Sequence, residues 1–268
     1  MRETAIESVL RRDRIIVILA IAVLTGLAWS YVLWLSAPTM GDLPVGAMMV
    51  SGMSMAPALK AWAIKDFALT FAMWAVMMVG MMTPSAAPMI LLYARVGRQA
   101  AHDDHPFASS SWFAGGYLGS WAAFSIVATS AQWALTQASA LSPVMALSSK
   151  WIGGAVLISI GIYQWTPLKE SCLSLCRSPL AFIQAQGGFK RAARGSLILG
   201  ARHGAYCVGC CWALMALLFV GGIMNVLWIA GISILVLLEK IAPAGKMISR
   251  ATGTILALAG VWLIATNL

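Results

Sequence analysis

The chain has 268 residues, of which 60% are hydrophobic and only 10% are charged, and its mean hydropathy is +0.84. A soluble globular protein carries about 25% charged residues, so this composition excludes an ordinary soluble domain. The formal net charge of +9 is explained by basic loops beside anionic lipid, and it gives no reason to expect a nucleic-acid partner. The apolar segments lack the alternation of a barrel, so membrane-spanning helices are predicted.

About seven segments approach the roughly 20 apolar residues that a membrane span requires. In chain order they are 15–35, 67–93, 112–135, 151–167, 204–221, 223–238 and 252–265. The first is too long for the apolar core of a signal peptide, so it is predicted to be a retained anchor. The sixth is short, and only Gly221 and Gly222 separate it from the fifth, so six spans are the alternative. The predicted fold class is all-α, a polytopic transmembrane helix bundle in which residues 1–268 form a single integral membrane domain.

The basic residues between these segments predict the orientation. Of the 18 lysines and arginines, three (Lys60, Lys65 and Lys150) fall on one side, and the other fifteen fall on the side of the N-terminus. Because cytoplasmic loops are rich in lysine and arginine, the N-terminus is predicted inside and the C-terminus outside. The expected location is a bacterial inner (cytoplasmic) membrane, crossed several times.

Three features of the spans have ordinary structural interpretations. Gly115 and Gly119 form a small-xxx-small pair, which favours helix packing. Pro84 and Pro88 are expected to kink or end the second span, because each removes an intrahelical hydrogen bond that Thr83 or Ser85 could replace. The third feature is the neighbouring pair Glu239 and Lys240, whose charges are expected to pair at a membrane interface. The alternative for the prolines is a break accessible to an ion.

All five cysteines are predicted at the inner end of the membrane. Cys172 and Cys176 open the large cytoplasmic loop, and Cys207, Cys210 and Cys211 lie in the first turns of the fifth span. The cytosol keeps thiols reduced, so a framework of structural disulfides is not expected. Thiols gathered there indicate a soft-metal site or a redox relay.

The fifth span carries the most specific pattern. His203, Cys207, Cys211 and Met215 recur every four residues, and Cys210 follows Cys207 by three. On a helix of 3.6 residues per turn these side chains share one face. This face offers an imidazole, thiols and a thioether, and the i, i+4 pair Cys172 and Cys176 could close a metal site from the adjacent loop. The alternative is that the cysteines are small apolar packing residues.

Methionine is the second signal, with 16 residues in the chain. The residues concerned are Met48, Met49, Met53 and Met55 in an outer loop, and Met73, Met77 and Met81 on one stripe of the second span. Thioethers bind Cu(I) and hold hard ions poorly. For the stripe alone, packing is the favoured explanation. Packing explains the methionines of the outer loop less well, because that loop is expected to face water.

Four strings resemble those of a bacterial family of predicted metal-binding integral membrane proteins, a domain of unknown function. They are MWAVMMVGMMTPSAAPM (73–89), YQWTPLKESCLSLCRSP (163–179), HGAYCVGCCWALM (203–215) and EKIAPAG (239–245), and the resemblance runs from about residue 67 to 250. It implies a metal-binding role for the five cysteines and for the methionines of 73–89, and His203 lies in the third string.

The predicted function is therefore a membrane protein that binds a soft metal ion for transport, delivery or tolerance. Cu(I) is the predicted metal, with zinc the weaker candidate, and the candidate partners are a metal chaperone or a subunit of a membrane complex. One alternative is a transmembrane thiol–disulfide relay, and another is an accessory subunit with structural cysteines. No Gly-rich phosphate loop or paired intramembrane carboxylates support a hydrolytic or phosphoryl-transfer enzyme.

Overall fold

The structure is a computed structural model that describes residues 5–36, 62–102, 110–142 and 145–266. Within these ranges the chain is helical, and its only β pairing is an isolated bridge between Leu141 and Leu147. The helices are α1 (Ala5–Ser36), α2 (Ile64–His102), α3 (Ser110–Gln137), α4 (Lys150–Tyr163), α5 (Pro167–Arg177), α6 (Pro179–Ala185), α7 (Ala193–Ala216), α8 (Leu218–Gly221), α9 (Val226–Ile241) and α10 (Gly245–Ala265). The prediction of an all-α fold is confirmed.

Four stretches of helix are long and apolar enough to cross a membrane. They are Ile15–Ser36, Ile64–Gly97, Ala193–Gly221 and Gly245–Ala265, whereas α4 is apolar but has only 14 residues. Their outer surfaces are strongly apolar: in α10, Leu258 and Trp262 are 65% and 67% exposed. This agrees with a membrane protein, since such surfaces avoid water. The predicted count of seven spans and the predicted sides of the two termini stay predictions.

The fifth predicted segment, 204–221, begins eleven residues earlier in the structure, because α7 starts at Ala193. The charges of Arg194 and Arg202 lower the hydropathy of this stretch, so the sequence predicted it to be part of a loop. A charged side chain lowers the hydropathy of a segment but leaves its backbone hydrogen bonds intact, so the helix extends past the apolar part. α2 likewise continues to His102, beyond the predicted end at residue 93.

Two prolines lie inside α2 without ending it. Both Pro84 and Pro88 fall within the 39 residues of this helix, so of the two predicted outcomes the end of the span is excluded and a kink stays a prediction. Of the two neighbouring hydroxyls, the Ser85 hydroxyl donates to the Met82 carbonyl at 2.8 Å, whereas the Thr83 hydroxyl is buried without a partner. Of these two hydroxyls, Ser85 alone therefore bonds a carbonyl of this turn.

Close contact between α3 and α7 holds the centre of the molecule together. A Cβ added at Gly116 would lie 2.0 Å from the Leu197 carbonyl oxygen, and one added at Gly200 would lie 2.0 Å from the Phe113 carbonyl oxygen. The predicted packing pair is wrong in part, because Gly119 faces open space and Gly115 only touches the Leu197 side chain. Each step along a helix turns the side chain by about 100°, so a phase error of one residue selects the wrong glycine.

Substituting Gly116 by alanine is expected to destabilise the protein strongly. The new methyl group would meet backbone atoms, which cannot rotate away, so α3 and α7 must separate. The expected loss is about 3 kcal/mol, at the upper end of the cost of overpacking. Thermal unfolding in detergent measures it, with Gly119→Ala as the matched control because that position is open. Equal melting temperatures for the two variants would contradict the packing described.

Candidate metal centre

The buried side of α7 carries the side chains that the sequence singled out. His203, Cys207, Cys210, Cys211 and Met215 are each no more than 3% exposed. Their i, i+3 and i, i+4 spacing places them along one side of the helix, and that side faces the protein core. The pattern thus points a ladder of sulfur atoms and one imidazole inward.

Four thiols meet where α5 packs beside α7. The sulfur atoms of Cys176 and Cys210 lie 3.9 Å apart, and the Cys207 thiol neighbours those of Cys176, Cys210 and Cys211. We call these four residues the thiol network. The thiols of Cys210 and Cys211 also donate to the Cys207 carbonyl oxygen, at 3.1 and 2.8 Å. Among the described residues, no three His, Cys, Asp or Glu side chains already surround a common point as metal ligands do.

Cys172 lies beside the thiol network, one helical turn before Cys176. Its sulfur atom sits where Gly209 has no side chain, 2.9 Å from the place that a Cβ would occupy. Cys172 also lines an open depression at the surface, together with Gln186, Arg202, Ala205 and Tyr206. The glycine admits α5 to α7, and the depression connects Cys172 to the outside of the protein.

The pKa values of the two α5 thiols are both raised. Burial raises the pKa of Cys172, and hydrogen bonds with Cys207 and Cys210, together with burial, raise the pKa of Cys176. Both side chains are therefore thiols at neutral pH. A metal binds the thiolate form, so an ion that binds here releases protons.

Lys240 approaches the thiol network from α9. Its buried ammonium group donates to the sulfur atom of Cys207 at 2.8 Å and to the Ser85 hydroxyl at 3.0 Å. The expected pairing of Lys240 with Glu239 is wrong, because successive residues of a helix point about 100° apart. Sequence reasoning did not place Lys240 at the site, and its only signal was membership of the EKIAPAG string.

Tyr117 of α3 is a second residue that sequence reasoning missed. Its hydroxyl lies 3.1 Å from the Cys207 sulfur atom and also donates to the Met82 carbonyl at 3.1 Å. The tyrosine therefore joins the thiol network to α2. No motif indicated this contact, because it arises only when α3 packs against both helices.

Glu239 pairs instead with Lys169 of α5. Their charged atoms are 2.8 Å apart, and the two side chains are 2% and 1% exposed. Lys169 also donates to the Gln164 side chain, and the Ser249 hydroxyl donates to the same oxygen at 3.1 Å. This buried pair connects the second and fourth of the quoted strings and fixes α9, and hence Lys240, relative to α5.

His203 lies one turn before Cys207 within an aromatic cage. Its ring centre is 4.9 Å from that of Phe182 and 5.8 to 5.9 Å from those of Phe113 and Tyr117. The Nδ1 atom is buried without a hydrogen-bond partner. A buried nitrogen of this kind usually has a partner, so Nδ1 is available to a ligand.

The methionines lie mainly in the core. Met77 and Met81 are fully buried, Met73 is partly buried against the same core, and Met215 lies one turn beyond Cys211. These positions agree with packing and do not by themselves show a metal ligand. Met48, Met49, Met53 and Met55 lie outside the described residues.

The fold and the site together define a helical protein of membrane type, with thiols buried beside a lysine. The family PpoB2, described as copper chaperone, matches residues 71–263 of the chain. The chain belongs to this family. The match includes the thiol network, Lys240 and His203, and it supports the predicted connection with copper. No curated protein and no solved structure matches the chain.

Proposed function

We propose that this protein is a membrane-embedded copper chaperone, which holds Cu(I) as cargo on the thiol network and passes it to a recipient protein. The observation that carries the proposal is the contact between Cys176 and Cys210, from two different helices, at 3.9 Å. Two metal–sulfur bonds of about 2.3 Å span up to about 4.6 Å, so both sulfur atoms can bind one ion. The family description independently names copper.

The chemistry of the donors fits a soft monovalent ion. Thiolates and thioethers select Cu(I), whereas carboxylates suit harder ions. The groups that bond the Cys207 sulfur atom are the Lys240 ammonium and the Tyr117 hydroxyl, and its other neighbours in the network are thiols. Cys207 is the central ligand in this proposal, since it contacts the other three thiols. His203 lies one turn before Cys207 and Met215 one turn after Cys211, so both can bind the ion as it moves along α7. The thiols of Cys210 and Cys211 donate to the Cys207 carbonyl in the structure. Small rotations of these two side chains would turn their sulfur atoms towards the ion and complete the ligand set.

The first test is elemental analysis of the detergent-purified protein under reducing conditions. The proposal expects near-stoichiometric copper after expression in copper-supplemented cells, with little zinc. Protein that is folded, reduced and free of copper after such growth, and that takes up no Cu(I) in vitro, would leave the cysteines as packing residues of an accessory subunit.

The membrane arrangement belongs to the same proposal. α3, α4 and α9 are taken as spans beside the four candidate stretches, which makes seven spans in a bacterial inner membrane. The N-terminus lies inside and the C-terminus outside. The distribution of eighteen basic residues, fifteen against three, supports this orientation. Cys172, at its open depression, then receives the ion from the cytosolic side.

Reporter fusions check the arrangement directly. Fusions after Arg194 and after Leu268 are expected to report opposite sides of the membrane. Arg194 lies in the first turn of α7, at the proposed inner end of that span, and the three proposed spans α7, α9 and α10 separate it from Leu268. If both fusions report the same side, the number of spans is even and the six-span alternative gains support.

The methionine-rich outer loop is proposed as the exit for copper. Changing Met48, Met49, Met53 and Met55 together to leucine is expected to weaken copper delivery and silver tolerance while expression stays normal. Leucine keeps the volume and removes the sulfur, so packing explains no such change. Growth on graded copper and silver measures the effect, and an unchanged phenotype would return these residues to the packing interpretation.

A thiol–disulfide relay is the second candidate function, because Cys176 and Cys210 are close enough to exchange into a disulfide with a small movement. It predicts a trappable mixed disulfide with a redox partner and activity without copper. The sequence offers no cysteine on the outer side to accept or supply electrons. Mass spectrometry of alkylated protein from growing cells separates the two functions, since the copper function expects all five thiols to be reduced.

A further inference from the structure

We infer that Lys240 is the specificity-determining residue of the thiol network, and that its fixed positive charge makes the buried site select monovalent over divalent soft ions. This inference rests on the proposed function. It concerns which ion the site accepts, and not whether the site binds an ion.

The position of Lys240 is built by the fold. The side chain is 8% exposed, and its ammonium group contacts the Cys207 sulfur atom at 2.8 Å. An ammonium group has three donors and no acceptor, and here one donor is directed at sulfur and another at the Ser85 hydroxyl. The charge is thus held next to the central ligand of the network and cannot turn towards water.

A charge count shows why this matters. Two thiolates and one Cu(I) carry a net charge of −1, and the adjacent ammonium brings the total to zero. A divalent ion on the same two thiolates is already neutral, and the ammonium would leave an uncompensated positive charge. An uncompensated charge is costly in a low-dielectric interior. The neighbouring pair Lys169 and Glu239 has no net charge, so it does not alter the balance.

The alternative is that Lys240 only supports the structure by bonding Ser85 and Cys207. A structural role would weaken the binding of all ions together. A charge role changes the preference between ions of equal electron configuration and different charge. Ag(I) and Cd(II) form such a pair, since both are soft ions with a filled d shell, so the ratio of their affinities separates the two roles.

The experiment measures dissociation constants for Ag(I) and Cd(II) by competition with chelators, using the reduced full-length protein in lipid nanodiscs. The neutral variants Lys240→Met and Lys240→Gln are compared, and the glutamine variant keeps a donor for Ser85. Both are expected to shift the affinity ratio towards Cd(II) on the order of 100-fold, as for one unit charge about 5 Å away at an effective dielectric constant near 20. Lys240→Arg keeps the charge and is expected to keep the ratio.

Lys246→Met is the matched control, because it removes a lysine that is exposed and pairs with an exposed carboxylate, that of Glu170. Its ratio is expected to equal that of the wild type. An unchanged ratio in a folded neutral variant would overturn the role of Lys240 while copper binding stands. A shift towards Cd(II) in Lys240→Arg, which keeps the charge, would also overturn the inference. Wild-type protein that binds neither Cu(I) nor Ag(I) would instead overturn the proposed function.

Discussion

The variant Cys207→Ser is expected to purify with almost no copper, although it folds normally. Cys207 lies between the thiols of α5 and α7 and also bonds Lys240 and Tyr117, so it is proposed as the central ligand of the thiol network. Serine keeps the size and the hydrogen bonds but replaces a soft sulfur by a hard oxygen. Substituting a residue that only hydrogen-bonds to a metal ligand lowers metal affinity about 10- to 100-fold. Removing the ligand itself is therefore expected to lower the affinity more than about 100-fold.

Elemental analysis and competition with a Cu(I) chelator measure this loss, and the melting temperature of the protein without metal shows whether the fold is kept. Cys172→Ser is the matched control, since Cys172 lies beside the network at the open depression. It is expected to hold copper at equilibrium but to load it more slowly. A Cys207→Ser protein with its full complement of copper would exclude the thiol network as the site.

The variant Lys169→Met is expected to lose about 3–5 kcal/mol of unfolding free energy, because it leaves the buried carboxylate of Glu239 without its partner. The double variant Lys169→Met with Glu239→Gln is expected to recover most of that loss. The reason is that replacing both members of a buried pair removes the attraction and the cost of desolvation together. Removing one member removes the attraction but leaves the desolvation cost of the other charge.

Thermal unfolding in detergent and copper content are measured together for these variants. The buried pair orients α9, which carries Lys240, so the single variant is expected to lose copper as well as stability and the double variant to regain both. Lys246→Met, which opens the exposed pair with Glu170, is the control and is expected to change little, because exposed ion pairs are screened by solvent. If the single and double variants were equally unstable, packing around Lys169 would matter more than its charge.

The fold class follows from the sequence alone, because its physical cause is local. A chain with 10% charged residues must turn apolar surface away from water, and within lipid a helix satisfies its own backbone. The shared face of α7 was predictable for the same reason: the spacing of His203, Cys207 and Cys211 and the pitch of a helix are both properties of one segment.

Only the tertiary structure decided which residues from different segments meet. The contact of Cys176 with Cys210, the partner of Glu239 and the approach of Lys240 to Cys207 each depend on how α5, α7 and α9 pack, and no periodicity in one segment records that. Gly116 illustrates the limit on a smaller scale, since the rotation of α3 against α7 selected it over Gly115 and Gly119. Composition and hydrophobic periodicity determine the structure within one helix. The charges and sulfur atoms of the site are brought together by close packing between helices. The rotation and register of one helix against another are not specified by the sequence of either helix alone.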